Sequence, residues 1–401
     1  MTPAALDAAD PLAFARERFR IPDGVIYLDG NSLGALPAAA PDRLAQAIEH
    51  EWGERLIASW NEAGWVDLPR RLGDRIAPLI GATPGSVVVA DSTSVNLFKC
   101  AAGALQARRP RRVILAEASD FPTDAYVLEG LAALAGAELR LVARDDVRSA
   151  LTQEVAVLVL THVHYRSGAI HDMAALNAAA QAVGALTVWD LSHSAGALAV
   201  RLDADGADYA IGCGYKYLNG GPGAPAFLYV APRHQATFAN PLSGWFGHAA
   251  PFAFQQAYAP TAGAARGQAG TPPILSMIAL EQGLATFDGI DMTAARLKAM
   301  QLSQAFLEGA LALGLQPACP TDPQLRGNQV TLHHPHAYAV VQALIADGVV
   351  GDFREPDIMR FGFAPLYLRH ADVAEALERL RRVLAEERWR DAKFQVRLPV
   401  T

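Results

Sequence analysis

The sequence has little lysine and little cysteine. Only four of its 34 basic residues are lysines, namely Lys99, Lys216, Lys298 and Lys393. A reaction that needs a free amine therefore has four candidate residues. The three cysteines are far apart and include no C-x-x-C pair, which argues against a disulfide framework and a structural zinc site. Because this usage is typical of a reducing compartment, we expect a cytoplasmic protein.

Other features are also absent. With 34 basic and 41 acidic residues the net charge is −7, so we expect neither nucleic acid nor a membrane surface as a partner. No run of about 18 apolar residues occurs, and the N-terminus lacks the basic and apolar regions of a signal peptide. No H-E-x-x-H motif is present, which removes one common hydrolase signature.

The middle of the chain alternates short apolar runs with helix-length segments, a pattern typical of a mostly parallel sheet flanked by helices. We predict an α/β protein whose large domain contains a mostly parallel seven-stranded sheet. The predicted strands are 87–90, 112–117, 137–143, 155–162, 185–191, 208–213 and 226–230. The predicted helices between them are 93–108, 122–136 and 172–183.

After Thr271 the pattern changes and predicts a smaller α+β domain. Its predicted helices are 273–288, 291–313 and 371–390, and its predicted strands are 329–334 and 358–364. We expect three parts in all: an N-terminal segment (1–50) that packs with the small domain, a large ligand-binding domain (51–275) and a small C-terminal domain (276–401).

Lys216 follows an apolar strand in the glycine-rich stretch DYAIGCGYKYLNGGPG (208–223). A desolvated lysine loses basicity and becomes a nucleophile that condenses with an aldehyde to a Schiff base. The alternative is a strand-end lysine whose ammonium only reaches out to solvent. Lys298 and Lys393 fall in charged helical segments and Lys99 within the helix 93–108, which favours Lys216 as the reactive amine.

Asp190 stands at the carboxyl end of another predicted strand, in VWDLSH (188–193). Ligands of open α/β sheets bind beyond the carboxyl ends of the strands, so Asp190 and Lys216 are predicted to share one crevice. A carboxylate there can keep a pyridine nitrogen protonated, so that the ring accepts electrons. The alternative is an aspartate that only caps or pairs within a loop.

A phosphate site is predicted where VVVADSTSVNLFK (87–99) passes from a strand through hydroxyl residues into a helix. Free N–H groups and hydroxyls at a helix N-terminus bind an oxyanion, although an ordinary helix cap is the alternative. Amine, carboxylate and phosphate site together indicate pyridoxal phosphate. A dinucleotide is not predicted, because Tyr217 occupies the last glycine position of the G-x-G-x-x-G pattern that begins at Gly212.

His162 and His164, two residues apart on a predicted strand, would face the same side as a metal pair requires. No third ligand at useful spacing accompanies them, so we expect no metal.

With these residues the chain is similar to pyridoxal-phosphate enzymes of the aspartate-aminotransferase fold, and it specifically resembles the kynureninase family. Eight blocks in the family's order carry the resemblance, which runs nearly end to end. They are YLDGNSLGALP (27–37), DSTSVNLFK (91–99), DFPTDAY (120–126), LTHVHYRSG (160–168), WDLSHSAG (189–196), GCGYKYLNGGPG (212–223), SGWFGH (243–248) and REPDIMRFGFAPLY (354–367).

The resemblance implies roles for individual residues. Lys216 would bind pyridoxal 5'-phosphate covalently, Asp190 would pair with its pyridine nitrogen, and Phe121 would stack on its ring. Tyr215 would contact the phosphate and relay protons, and Arg360, which the residues alone suggest is on the surface, would bind the substrate α-carboxylate. The other implied cofactor-binding residues are Thr93, Ser94, Pro122, Thr123, Asp124, Thr161, His193, Trp245 and Thr271. Trp245 and Thr271 would come from the neighbouring subunit of a homodimer.

The reaction implied by the resemblance is hydrolytic Cβ–Cγ cleavage of L-kynurenine to anthranilate and L-alanine, in tryptophan degradation or pyridine nucleotide biosynthesis. Whether 3-hydroxykynurenine is also cleaved, to 3-hydroxyanthranilate, stays open. One alternative is another enzyme of the same fold, an aminotransferase or a cysteine desulfurase with Cys319 as nucleophile. A catalytically silent cofactor-binding or scaffold protein is the other, but it predicts loss of Lys216, Asp190 or Arg360, and all three are present.

Overall fold

The computed structural model describes residues 2–397, so Met1 and 398–401, the ends of the two terminal predicted parts, lie outside the described residues. The strands are β1 (Phe19–Arg20), β2 (Ile26–Tyr27), β3 (Leu36–Pro37), β4 (Val87–Val89), β5 (Val113–Glu117), β6 (Glu138–Val142), β7 (Val155–Thr161), β8 (Leu186–Asp190), β9 (Tyr209–Gly212), β10 (Phe227–Val230), β11 (Gln316–Pro317), β12 (Gln329–His333), β13 (Val349–Val350), β14 (Asp352–Arg354) and β15 (Ile358–Gly362). The α-helices are α1 (Pro3–Ala8), α2 (Ala40–Gln46), α3 (Ser59–Glu62), α4 (Leu68–Ile76), α5 (Thr93–Ala107), α6 (Pro122–Ala135), α7 (Met173–Val183), α8 (Ile274–Ala285), α9 (Met292–Ala312), α10 (Ala337–Ala346) and α11 (His370–Ala385).

Seven strands form the large sheet in the order β4-β10-β9-β8-β7-β5-β6. All neighbouring pairs from β9 to β6 are parallel, whereas β10 is antiparallel to both β9 and β4. The predicted α/β class with a mostly parallel seven-stranded sheet is therefore confirmed. Each of the seven predicted strands agrees with the structure to within one residue at either end.

The strands of this sheet are buried on both faces. Every residue of β7 is buried, with Leu158 and Leu160 in one apolar cluster and Val157 and Val159 in another. Successive side chains of a strand point to opposite faces, so a strand covered by helices on both sides must be apolar throughout. This explains why the sequence predicts these strands so well.

The C-terminal part of the chain contains an antiparallel sheet in the order β11-β12-β15-β14, with α9 and α10 packed against it. The N-terminal segment joins these elements, because β2 pairs in parallel with β13. The domain boundaries near residues 50 and 275 stay a prediction. Within residues 2–397, none of the helices combines the length and apolarity needed to span a bilayer.

Candidate active site

A cavity of about 360 Å³ opens at the carboxyl edge of the large sheet. Its walls come from the segments that follow β4, β5, β7, β8 and β9, from the N-terminal segment and from the small sheet. Because the carboxyl ends of parallel strands meet at one edge, residues far apart in sequence come together here. The predicted site residues that line the cavity are Thr93, Ser94, Phe121, Thr123, Asp124, Thr161, Asp190, His193, Tyr215, Lys216 and Arg360.

Lys216 is the lysine of the cavity, and its amine lies 5.8 Å from the ring centroid of Tyr215. Burial does not distinguish Lys216 from the other lysines, because Lys99 and Lys298 are also buried, which their sequence positions did not suggest. Those two lysines are neutralised by Asp91 and Asp10, respectively. Among residues 2–397, Lys216 has no ion-pair partner, so its amine is available for chemistry.

Asp190 ends β8 and is only 5% exposed. Its Oδ1 accepts a hydrogen bond from the Ser192 N–H at 2.7 Å. Burial raises the pKa of Asp190, while Ser192 and the nearby Lys216 ammonium act in the opposite direction. A cationic group bound against this carboxylate would favour its ionised form.

His193 lies in the same turn, and its protonation state follows from its neighbours. Its Nδ1 is 3.0 Å from Gln329 Oε1, while Gln329 Nε2 donates to the carbonyl of Tyr165. Because Gln329 Nε2 faces Tyr165, its amide oxygen Oε1 faces His193. Nδ1 of His193 therefore carries the proton and donates a hydrogen bond to Oε1. Burial lowers the pKa of His193 well below its usual value, which leaves a neutral ring with Nε2 as an acceptor.

The turn between β4 and α5 contains the predicted phosphate site. Ser92 caps α5 by accepting a hydrogen bond from the Val95 N–H at 3.3 Å, and Thr93 and Ser94 form the first turn of the helix. The free N–H groups and dipole of a helix N-terminus favour an anion. The preceding Asp91 has the left-handed backbone conformation, with φ of 48°, which aspartate and asparagine adopt more readily than other residues with a side chain.

Lys99 holds this turn from inside the protein. Its fully buried ammonium donates to the Asp91 carboxylate, to the Gly267 carbonyl at 2.7 Å and to Asn96 Oδ1 at 3.4 Å. All three protons therefore have acceptors, as a buried ammonium requires. Sequence position inside a helix gave no sign of this role.

The segment after β5 supplies Phe121, Thr123 and Asp124. Phe121 is 45% exposed and meets the ring of Tyr165 edge-on, with 5.3 Å between centroids. Burial and the neighbouring carboxylates of Asp190 and Asp120 raise the pKa of Asp124 well above its usual value, while Lys216 opposes them. Pro122 begins α6 and does not line the cavity.

Arg360, on β15, is 1% exposed, so the expectation of a surface residue drawn from the residues alone was wrong. It reaches the cavity because β15 lies at the junction with the N-terminal segment. Its Nη2 donates to Ser32 Oγ at 2.9 Å and its Nη1 to the Tyr165 carbonyl at 2.6 Å. Eight further residues line the cavity but were not among the predicted site residues: Asn31, Ser32, Ser92, Tyr165, Ser192, Ala224, Ala226 and Arg354. All except the two alanines lie in the quoted blocks.

Trp245 and Thr271 do not line this cavity. Thr271 lines a neighbouring cavity of about 540 Å³, which shares Ser92 and Tyr215 with the first. Trp245 is 36% exposed and packs against Phe246 and Phe252. Within one chain, Trp245 therefore lines neither cavity, and Thr271 is connected to the other predicted residues only through the shared wall of Ser92, Tyr215 and Ala224.

The structure brings His164 together with two acids that the sequence did not connect with it. Ligand atoms of His164, Glu117 and Asp120 lie within 4.8 Å of one another. Glu117, however, already accepts hydrogen bonds from His171 at 2.7 Å and from Arg144 at 3.3 Å. Although burial opposes them, His171 and Ser119 lower the pKa of Glu117 to about 2. Protein cations thus account for this cluster, and His162 packs on Trp189 instead.

Solved structures with the same fold define the class. The chain superposes on the cysteine desulfurase from Thermococcus onnurineus NA1 with a TM-score of 0.79 at 20% identity, covering 93% of this chain and 98% of that one. A C-DES mutant with glycine linked to its PLP cofactor gives a TM-score of 0.77 at 17% identity, covering 91% and 98%. The fold is that of the fold-type I pyridoxal-phosphate enzymes.

Sequence comparison identifies the family. Residues 295–380 match the family model of the kynureninase C-terminal domain. The kynureninase of Burkholderia pseudomallei (strain 1106a) is 53% identical over 408 residues, covering 99% of this chain and 98% of the relative. The chain belongs to the kynureninase family, as its sequence blocks indicated. The desulfurases are only distant neighbours in fold, and Cys319 is buried away from the cavity.

Proposed function

We propose that this chain is a pyridoxal-phosphate-dependent hydrolase that cleaves the Cβ–Cγ bond of L-kynurenine to give anthranilate and L-alanine. The observation that carries the proposal is the convergence of Lys216, Asp190 and Arg360 on one cavity. The high identity to a relative named kynureninase supports the same reaction.

The residues of the cavity fit the cofactor. Lys216 offers an unpaired amine, and Asp190 offers a buried carboxylate for the pyridine nitrogen. Thr161 Oγ1 is buried and has no partner among the described residues, so a bound ring substituent would satisfy it. Thr93 and Ser94 would hold the phosphate at the N-terminus of α5. The remaining proposed contacts are Phe121 on the ring, with Pro122, Thr123, Asp124, His193 and Tyr215 around it.

Lys216 and Tyr215 are the proposed proton carriers. When bound, pyridoxal phosphate supplies an aldehyde that joins to amines and a protonated ring that withdraws electrons from the substrate Cα. The Lys216 amine removes the Cα proton as a general base. Water adds to the γ-carbonyl, and the Cβ–Cγ bond breaks as anthranilate leaves. Burial raises the pKa of Tyr215, which keeps its hydroxyl protonated and able to supply a proton to Cβ.

Arg360 is the proposed site for the α-carboxylate of the substrate. A guanidinium presents pairs of N–H groups whose spacing matches the two oxygens of a carboxylate. Arg360 lines the same cavity as Lys216, so a substrate held by its carboxylate would carry its α-amine towards the cofactor.

We also propose a homodimer in which Trp245 and Thr271 complete the partner's phosphate site. The exposed side chains of Leu242, Trp245, Phe252, Phe254 and Tyr258 support this proposal. Contiguous exposed apolar side chains are typical of protein interfaces. The three free cysteines are consistent with the reducing cytoplasm, where we propose that the enzyme works.

The test is to mix pure protein, pyridoxal phosphate and L-kynurenine and to follow the fluorescence of anthranilate. Lys216→Ala should fold, lose the absorbance of the lysine-bound cofactor and release no anthranilate. Lys393→Ala removes an exposed lysine and is the matched control, with unchanged activity. If the wild type binds the cofactor and yet releases no anthranilate, the proposed function is wrong.

A further inference from the structure

Asp352 binds the guanidinium of Arg360 directly, a contact that the sequence did not predict. The two residues are direct cross-strand partners in the antiparallel pair β14–β15, which places their side chains on the same face of the sheet. Arg360 Nε donates to Asp352 Oδ1 at 2.8 Å, and Nη2 donates to Oδ2 at 2.5 Å. Both oxygens of one carboxylate thus bind one edge of the guanidinium.

This side-on pairing decides which part of Arg360 is left for a ligand. With Nε and Nη2 bound to Asp352, the remaining edge of the guanidinium is the one formed by Nη1 and Nη2. The N–H groups of that edge donate hydrogen bonds to Ser32 Oγ and to the Tyr165 carbonyl. Ser32 and Tyr165 themselves line the cavity. A carboxylate that enters the cavity therefore meets a guanidinium whose rotation is already determined.

Asp352 also holds two other groups of the same wall. Its Oδ2 accepts from Ser32 Oγ at 2.6 Å and from Arg354 Nη2 at 2.7 Å. Asp352 is 3% exposed, and Arg360 lowers the pKa of Asp352 although burial opposes it. One ionised carboxylate therefore orients three donors that come from two separate parts of the chain.

The net charge of the cavity wall around Arg360 matches the binding of one anion. Arg354 and Arg360 contribute two positive charges and Asp352 one negative charge. The nearby Asp29 is neutral at pH 7, because burial and Asp352 raise the pKa of Asp29 to about 8. The wall thus has a net charge of +1 before substrate binds, which is neutralised by a single α-carboxylate.

We propose that Asp352 is a positioning residue for substrate recognition. It fixes Arg360 so that the Nη1–Nη2 edge, whose acceptors in this structure are Ser32 Oγ and the Tyr165 carbonyl, turns to the α-carboxylate of the amino-acid substrate. The proposal rests on the substrate-binding role proposed above for Arg360. A merely structural role for the Asp352–Arg360 pair would affect stability without selecting for a carboxylate on the substrate.

The test compares two ligands that differ only in the α-carboxylate, L-kynurenine and its decarboxylated analogue kynuramine. In Asp352→Asn, we expect the KM for kynurenine to rise roughly 10- to 100-fold, as for loss of a charged hydrogen-bonding arrangement. The Ki of kynuramine, kcat and the absorbance of the lysine-bound cofactor should change little. Asp357→Asn, in the same hairpin but exposed and paired with His333, is the control.

An unchanged KM, or a KM and a kynuramine Ki that rise together, would overturn the proposal. If Asp352→Asn does not fold, Asp352→Glu keeps the charge but displaces the carboxylate, and the same two ligands decide the outcome. If the wild type releases no anthranilate, the proposed reaction fails instead. Binding of both ligands, measured by cofactor absorbance, would then still test the positioning role of Asp352.

Discussion

Replacement of Lys99 by methionine tests how the cofactor turn is held. Methionine has nearly the same length and volume, so Lys99→Met removes the ammonium and leaves little cavity. Loss of one member of a buried ion pair costs about 3–5 kcal/mol. The Asp91 side chain is 30% exposed, so water can partly solvate the carboxylate left behind. We therefore expect the lower end, about 3 kcal/mol, in the free energy of unfolding.

The same change should weaken cofactor binding. The left-handed conformation costs an ordinary residue about 1–2 kcal/mol, which is an upper bound for the aspartate at position 91, and the ion pair with Lys99 holds Asp91 in it. If the turn relaxes, Ser92 and its neighbours shift away from the phosphate, and the dissociation constant should rise roughly 10-fold. Urea unfolding of the apo-protein measures the first effect, and titration with pyridoxal phosphate measures the second.

The control for this experiment is Lys393→Met, because the pair of Lys393 with Asp391 is exposed on both sides. Its stability and cofactor affinity should match the wild type. Asp91→Asn, which tolerates the left-handed conformation, completes a double-mutant cycle with Lys99→Met. Independent effects of the two substitutions, or a Lys99→Met protein as stable as the wild type, would refute the reasoning.

Two further predictions concern charge and assembly. The KM for kynurenine should rise as the pH passes about 8, because Asp29 then ionises and the wall loses its net positive charge. In Asp29→Asn this component of the pH profile should disappear, and an identical profile in both proteins would contradict the assignment. The groups that face Asp29 are Tyr27, Ser32, Tyr217, Asp352, Arg354, Arg360 and Tyr367. Trp245→Ala should weaken the dimer in sedimentation experiments and lower cofactor affinity, whereas Leu134→Ala, on an exposed face of α6, should do neither.

The large sheet could be predicted from sequence because each strand carries its own signal. A strand covered on both faces, such as β7, must be apolar along its whole length, and helices between strands leave a different periodicity. The order of the strands and the antiparallel direction of β10 are not local properties. The predicted final helix, 371–390, was too long, since α11 ends at Ala385, and α10 and β14 were not predicted.

The site could be predicted where the chemistry depends on residue type and strand position. Lys216 and Asp190 follow strands of one sheet, so their meeting follows from the fold class. The pairing of Asp352 with Arg360 depends on the register of a short hairpin, which hydrophobic pattern does not reveal. The role of Lys99 could not be predicted from the sequence either, because the burial of its ammonium depends on acceptors as distant in sequence as Gly267.

The pairing of β2 with β13 has a consequence for how the enzyme is made. Ile26 leaves the ribosome long before its partner Val349, which lies 323 residues (349 − 26) further along the chain. Until then Ser32 also lacks its hydrogen-bond partners Asp352 and Arg360. A nascent chain that already contains Lys216 and Asp190 therefore still lacks the part of the cavity wall that Arg354 and Arg360 contribute.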